Sequence, residues 1–446
     1  MNIAESASIE QLLISRKWTS AKSAQVADMI IINTCAVRKS AEDRIEGRLG
    51  WIHGLKAVRE KKIGAKTKLL DEAVEYVKDG PKKLTVVVVG CMVEKGLEAF
   101  KKAHPYVDYV VGTFAKQHFG EIIEAVEKGE KAFTPDDTEA YKFAPVSAEP
   151  GHFSTFLPIM HGCNNFCTYC IVPYVRGREI SRPVEEILQE LDCLARFKVL
   201  EVTLIGQNVN SYSYNGVNFA RLLQKIADHL KETKSPIQWV RFMSSHPKDL
   251  TDDVIDVIEK EEVLCRHIHL AVQHGSNPVL KKMNRNYTRE HYIDLVNRIK
   301  AKIPDVSLTT DIMVGFPTET EEDLELTLDL MRQVQYESAM MYYYNPREGT
   351  PAASWEQIPE EIRKERLQKI IDLQLKITHE QMIKRIGKVV KVLVEGISRD
   401  NKEEVLGQIE QHEKIAFKAP SSLIGHFVQV KITDLSGNTY RGELVS

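Results

Sequence analysis

The sequence predicts an α/β protein in three parts: an N-terminal parallel-sheet α/β domain, a central partial (β/α)6 barrel and a small antiparallel β-barrel at the C-terminus. Three observations predict it. Continuous β-branched runs separated by helix-length segments fill the first part of the chain, as in a parallel sheet buried on both faces. Six strand signals, each followed by a helical segment, fill the middle, short of the eight units of a complete barrel. From Gly387 onward, short alternating strands are broken by turn residues, the pattern of a small closed sheet.

In the first part, "ADMIIINTC" (27–35), "LTVVVVGC" (84–91) and "YVDYVVGT" (106–113) read as strands. Sites in such sheets form just beyond the carboxyl ends of the strands. Cys35 and Cys91 both stand there, so the topology is expected to bring them together although they are far apart in sequence. Two buried structural cysteines is the plainer reading, since free cysteine packs as a small hydrophobe. Residues 130–150, with prolines, acids and no period, read as a linker between a first domain, 1–129, and a second, 151–382.

The second domain holds "FSTFLPIM", "LEVTLIGQN", "IQWVRFMSSHP", "RHIHLAVQHGS", "DVSLTTDIMVGFP" and "ESAMMYYYNPREGT". Polar residues and glycines gather where each strand ends, which is where a barrel's loops carry chemistry. A long charged helix, "PEEIRKERLQKIIDLQLKITHEQMIKRI", has apolar residues at helical spacing and is expected to pack. Residues 383–446 form the last domain. Between 384 and 446 ten Lys/Arg stand against eight Asp/Glu, a local excess of two positive charges in a chain of net charge −3.

Composition excludes several classes. At about 150 residues per domain, 446 residues suit three domains. Hydrophobic residues at 43% and charged residues at 28% are ordinary for a globular chain. Seven cysteines, scattered apart from one cluster, do not make a disulfide scaffold and point to a reducing, cytoplasmic compartment. The start "MNIAESASIEQLL" is no signal peptide, and no apolar run is long enough to span a membrane. A net charge of −3 leaves any nucleic-acid contact local to one face or domain. Nothing in the last two domains patterns a dimer, so a monomer is expected.

The chemistry centres on "HGCNNFCTYC", where Cys163, Cys167 and Cys170 follow the first barrel strand with Cys-x3-Cys-x2-Cys spacing. Disulfide pairing would strand one of the three and strain close neighbours. A structural zinc site needs a fourth ligand, and His161 lies too near Cys163 for the usual spacings. An iron–sulfur cluster is usually held by four thiolates, so three leave one iron open to a small molecule. That reading is preferred, with zinc or a structural coincidence as the alternatives.

Other strand ends supply polar groups. Gly206 and Gln207 end the second strand, Ser244 and Ser245 the third, with His246 beside them, and Gln273 the fourth, while Asp311 lies in the fifth. These residues and Tyr169 are candidate cofactor contacts. Asn208, Arg176, Arg178 and Tyr343 are candidates for a nucleic-acid substrate: an amide for a base, guanidinium groups for phosphate, a ring for stacking. Turns, solvated charges and core packing are the bland readings of the same residues. The histidines near the strand ends have no recognised ligand spacing. Cys193, in a helix, and Cys265, beside a strand, read as packing residues.

The cysteine loop, with Tyr169 before its last thiol, resembles the radical S-adenosylmethionine superfamily. The wider string "GCNNFCTYCIVPYVRGREISRP" resembles the methylthiotransferase family within it. So do "DMIIINTCAVRKSAEDR", "VVVVGCM", "LIGQNVNSY", "HLAVQHGSNPVLKKMNRNYT", "TDIMVGFPTETEED" and "YYYNPREGTPA", and the resemblance covers essentially the whole chain. The last domain resembles a TRAM domain, an RNA-binding module. "GQNVNSY" is most similar to the branch that makes 2-methylthio-N6-isopentenyladenosine beside the tRNA anticodon.

The resemblance implies two 4Fe-4S clusters and S-adenosyl-L-methionine. Cys163, Cys167 and Cys170 would hold the cluster that cleaves S-adenosylmethionine to a radical, which removes hydrogen from C2 of adenine. An auxiliary cluster on N-terminal cysteines would supply sulfur. The tRNA anticodon stem-loop, a small-protein electron donor and sulfur-supply proteins are the implied partners.

One departure stands out. Cys35 and Cys91 match two of the family's three auxiliary cysteines, whereas the third, in a Gly-Cys-Gln-Met-Asn-like motif, would lie upstream of Met1. A start placed too late is favoured as the cause over a truncated chain or a cluster that is incomplete; if the chain is as written, a two-thiolate cluster is expected to be labile in a weakened sheet. Three alternatives remain open: methylthiolation of a ribosomal protein side chain, of threonylcarbamoyl-adenosine in tRNA, or an RNA-binding protein with an inactive cluster.

Overall fold

The computed structural model describes residues 2–35, 39–61, 70–94, 96–113, 118–130, 141–143 and 152–445. The predicted linker, 130–150, lies outside the described residues except for residue 130 and residues 141–143. The chain forms two compact units: Met1–Ser147 with Ile171–Arg178, and Ala148–Cys170 with Glu179–Ser446.

In the first unit the strands Met29–Thr34, Thr85–Gly90 and Tyr109–Val111 form a parallel sheet with Thr85–Gly90 in the centre. Every residue of that central strand is buried. Its alternation feeds two cores, as a sheet covered on both faces requires. Val86 and Val88 pack with Leu49, Ile52 and Leu55 of the helix Lys39–Arg59. Val87 and Val89 pack with Ile122 and Ile123 of the helix Phe119–Lys128 and Ile9 of the helix Asn2–Ser15. Each such side chain contributes roughly 1.5–3 kcal/mol by leaving water. The helix Val172–Arg176 belongs to this unit, where Ile171 and Val175 cluster with Cys91.

In the second unit six parallel strands follow in chain order: Ser154–Pro158, Glu201–Ile205, Trp239–Phe242, His267–His269, Ser307–Val314 and Ser338–Tyr343. They form two three-stranded groups, bridged at Val240–Leu264 and Ser245–Leu270. The helices between them are amphipathic. Phe219–Glu232 buries Phe219, Leu222, Leu223, Ile226 and Leu230 at the helical period, and Asn218 caps it by accepting the Arg221 N–H. Cys265 is buried, but Cys193 is exposed, which corrects its reading as a packing residue. Its helix, Val184–Arg196, turns Ile187, Leu191 and Leu194 to the core and leaves position 193 on the solvent face.

Residues 389–444 close a five-stranded barrel from Val389–Ile397, Glu404–Ile409, Lys414–Lys418, Phe427–Ser436 and Thr439–Leu444. One feature differs from the antiparallel expectation. Lys414–Lys418 and Thr439–Leu444 pair in parallel, and that pairing seals the barrel. Helix Glu360–Ile383 leads into it, and Met382 joins the barrel core beneath the Tyr440 hydroxyl, which donates to its carbonyl.

The barrel seats on the strands before it. Trp239, Cys265 and Leu393 share a buried cluster, with Phe427 edge-on to Trp239. Beside the barrel core Arg385 bridges Glu413 at 3.0 Å and Glu337 at 3.5 Å. Burial pushes the Glu413 carboxyl up to about 7, against the pull of Arg385, with Glu337 adding to the rise. A raised carboxyl holds its proton more tightly folded than unfolded. Its contribution is therefore full below about pH 4.5 and lost as pH climbs through about 7. Glu413→Gln is expected to flatten the stability profile across that window and to be the more stable protein above it. Thermal unfolding at pH 5 and pH 8 checks this, and unchanged slopes would refute it.

Candidate active site

The cysteine loop leaves the first barrel strand through Gly162, whose φ of 78° suits a residue without Cβ, and Phe166 also lies in the left-handed region at 47°. A second segment clamps the loop. The Asn284 amide donates to the carbonyls of Asn165 (3.0 Å) and Phe166 (3.1 Å). The Thr168 hydroxyl donates to Lys282 (2.8 Å), and its N–H to Met283 (3.2 Å). The Thr168 carbonyl accepts the Ala352 N–H at 3.0 Å. Ten residues carrying three thiols are thereby fixed by two remote segments of the same unit.

Cys167 is buried, and Cys163 and Cys170 are partly exposed. The Asn165 amide lies 3.6 Å from Cys163 Sγ, and Arg285 Nη1 lies 3.6 Å from Cys167 Sγ. Burial pushes the Cys163 thiol up, against the Asn165 hydrogen bonds that favour its charged form. Among the described residues no three His, Cys, Asp or Glu side chains converge to hold a single metal ion. Three cysteines on one clamped loop are the donor set that would hold an iron–sulfur cluster. Tyr169 packs against Val279, Met283, Phe316 and Tyr344, and this burial keeps its phenol well above the usual range.

The strand ends gather the remaining candidates. Gly206 is pressed against Met160: a Cβ there would lie 2.4 Å from Met160 Cγ. Gln207 Oε1 and Ser245 Oγ are buried without a hydrogen-bond partner. Ser244 (φ 70°) and Gln273 (φ 68°) both adopt the left-handed region, which costs a non-glycine residue energy and marks these turns as special. Gln273 donates its N–H to the Asp311 carbonyl at 2.8 Å, and the Asp311 carboxylate lies 3.5 Å from His269 Nε2.

Other candidates are placed differently from the reading of the sequence. The Asn208 amide is engaged within the protein, donating to Asp249 Oδ2 (2.7 Å) and accepting from the His246 N–H (3.3 Å). Arg176 is buried in the first unit and offers nothing to a phosphate: Nε donates to Cys91 Sγ (3.2 Å), Nη1 to Glu5 (3.2 Å) and Nη2 to Asn2 (3.2 Å). Arg178 is exposed. Tyr343 is half-buried with the Arg363 guanidinium 5.5 Å over its ring, while Tyr344 is the tyrosine that points into the core. Cys35 and Cys91 stand one residue beyond Thr34 and Gly90, which are register partners on adjacent parallel strands. Their backbones are thus side by side at one sheet edge.

Arg285 escaped the sequence reading. Its guanidinium is held by Tyr287 (3.2 Å), the Ala271 carbonyl (2.7 Å) and Cys167. The only signal was its place in "KKMNRNYT", a polar run after a barrel strand.

A six-stranded partial barrel with three clamped cysteines after its first strand defines a radical S-adenosylmethionine enzyme, a class that uses a 4Fe-4S cluster and S-adenosylmethionine. The Radical SAM superfamily matches residues 157–331, Uncharacterized protein family UPF0004 matches 1–112, and the TRAM domain matches 384–445. A radical S-adenosylmethionine methyltransferase, TsrM from Kitasatospora setae, shares the fold with a TM-score of 0.53 at 15% identity, over 77% of this chain and 66% of its own. The tRNA-2-methylthio-N(6)-dimethylallyladenosine synthase of Treponema denticola is 46% identical over 100% of this chain and 97% of its own length. That of Bacteroides thetaiotaomicron is 42% identical over 100% and 94%. The chain belongs to the tRNA-2-methylthio-N(6)-dimethylallyladenosine synthase family. No described helix is long and apolar enough to cross a membrane.

Proposed function

We propose that this chain is a tRNA methylthiotransferase that adds a methylthio group to C2 of N6-isopentenyladenosine beside the anticodon. The likeness to synthases of that name over the full chain carries the reading. Cys163, Cys167 and Cys170 would hold one 4Fe-4S cluster, and Cys35 and Cys91 would contribute to a second. When bound, the first cluster supplies the electron that splits S-adenosylmethionine into a radical able to take hydrogen from an aromatic C–H, and the second supplies sulfur for methylation.

The chain's own residues position and exclude. Gly206 lets the backbone approach closely, and Gln207, Ser244, Ser245, Gln273 and Asp311 offer polar groups at the strand ends to S-adenosylmethionine. Tyr169 backs the cysteine loop with apolar surface that keeps water out. Arg285 places a buried positive charge beside Cys167. The terminal barrel would grip the tRNA, and a small reducing protein and sulfur-delivering proteins would act as partners in the cytoplasm.

The test uses the full chain, reconstituted without oxygen, with S-adenosylmethionine, a reductant and an anticodon stem-loop carrying N6-isopentenyladenosine. Mass spectrometry of the nucleosides is expected to show 2-methylthio-N6-isopentenyladenosine together with 5′-deoxyadenosine. A cluster-loaded sample that forms neither would refute the reading.

A further inference from the structure

Two loops at the strand ends are sewn together. The Val209 N–H donates to the Ser244 carbonyl at 3.3 Å, and Asn208 bridges to Asp249 and to the His246 N–H. Both amide atoms of Asn208 are thus already engaged within the chain. Asn210, two residues on in the turn Val209–Ser211, is the opposite case. The residue is 7% exposed, and both Nδ2 and Oδ1 are sealed from solvent with no hydrogen-bond partner. A buried donor or acceptor left unmatched is costly, so an amide orphaned at both ends calls for a partner from outside the chain.

Other side chains of the same two loops are in the same condition. Gln207 Oε1, Ser245 Oγ and His246 Nε2 are also buried and unpartnered. His246 Nδ1 accepts the Lys248 N–H at 3.3 Å, which puts the ring proton on Nε2 and makes that atom a donor. Four side chains in two tied loops thus present a mixed set of unmatched donors and acceptors.

We propose that Asn210 reads the substrate base, its Oδ1 accepting the single N6–H of an N6-alkylated adenine and its Nδ2 donating to N7. The inference rests on the function proposed above and names a specificity residue for it. An alkyl group on N6 turned toward N1 leaves N6–H alongside N7, an acceptor next to a donor. A primary amide is the side chain that matches this edge with two bonds. The N6–N7 edge lies across the ring from C2, so a base held there presents the reacting carbon on its free side. A 6-oxo purine offers two acceptors at the same edge and is rejected.

The experiment compares stem-loops carrying N6-isopentenyladenosine or its 7-deaza analogue, which has no N7 acceptor. The wild-type holoenzyme is expected to lose roughly tenfold or more in kcat/KM on the analogue, the range of one good base contact. Asn210→Ala should lose a similar factor on the natural base and nothing further on the analogue, with the KM for S-adenosylmethionine unchanged. Asn210→Asp, which keeps the volume but no donor, should behave like the alanine variant. RNA affinity by fluorescence anisotropy should follow the same pattern without turnover. Wild-type indifference to 7-deaza, or an alanine variant that discriminates as wild type does, would overturn the inference. Absence of methylthiolated product from wild type on the natural base would instead overturn the function beneath it.

Discussion

Replacing Cys167 with alanine is expected to abolish 5′-deoxyadenosine formation, by at least about three orders of magnitude, the scale seen when one member of a group acting as a unit is lost. Cys167 is the most buried of the three loop cysteines, at 6% exposed, and the Arg285 guanidinium lies beside it. Its loss removes one of the three loop thiols and takes the sulfur from beside Arg285. The loop backbone stays clamped by Asn284 and Thr168, so the unit is expected to remain folded. Iron and sulfide analysis with electron paramagnetic resonance reads cluster loading, and circular dichroism reads the fold. A Cys167→Ala protein that retains a reducible cluster of unchanged signal and cleaves S-adenosylmethionine would refute the assignment.

The second large effect concerns the seat of the terminal barrel. Arg241 is 1% exposed. It donates Nε to Glu201 Oε1 at 2.8 Å, Nη2 to the Ile409 carbonyl at 3.1 Å and Nη1 to the Glu410 carbonyl. One side chain thus neutralises a buried carboxylate and fastens the barrel through two backbone oxygens. Arg241→Met removes the charge and leaves Glu201 buried without a counter-ion, which costs about 3–5 kcal/mol. The paired change Arg241→Met with Glu201→Leu should recover most of that, because apolar pairs of similar volume replace buried ion pairs at little net cost. Urea unfolding of the single and double variants, with limited proteolysis of the barrel, measures both. A single variant within about 1 kcal/mol of wild type would show the contact to be incidental.

How far the sequence carried can be seen at particular residues. The run "TVVVVG" announced a strand covered on both faces, because a continuous β-branched run has no polar face to give to water. The half-barrel was legible from the six alternations of strand and helix. Cys35 and Cys91 could be placed at neighbouring strand ends from topology alone. Arg176 was not legible: its sequence suggested a phosphate ligand, but packing turned it inward onto Cys91, Glu5 and Asn2. In "GQNVN" both asparagines look alike, and only the tied loops distinguish Asn208, occupied on both sides, from Asn210.

By itself the sequence determined the class of each segment, the three-cysteine loop and the family. Those depend on periods of two and 3.6 residues and on spacings within one loop, which are local properties of the chain. Tertiary structure alone decided the parallel pairing that closes the terminal barrel, the exposure of Cys193, the inward turn of Arg176 and the placing of Arg285 against Cys167. Each depends on how distant elements meet: a guanidinium 118 positions from a thiol acquires its role only when two loops dock. A side chain's type is written in the sequence, but the atoms it faces are set by register and packing.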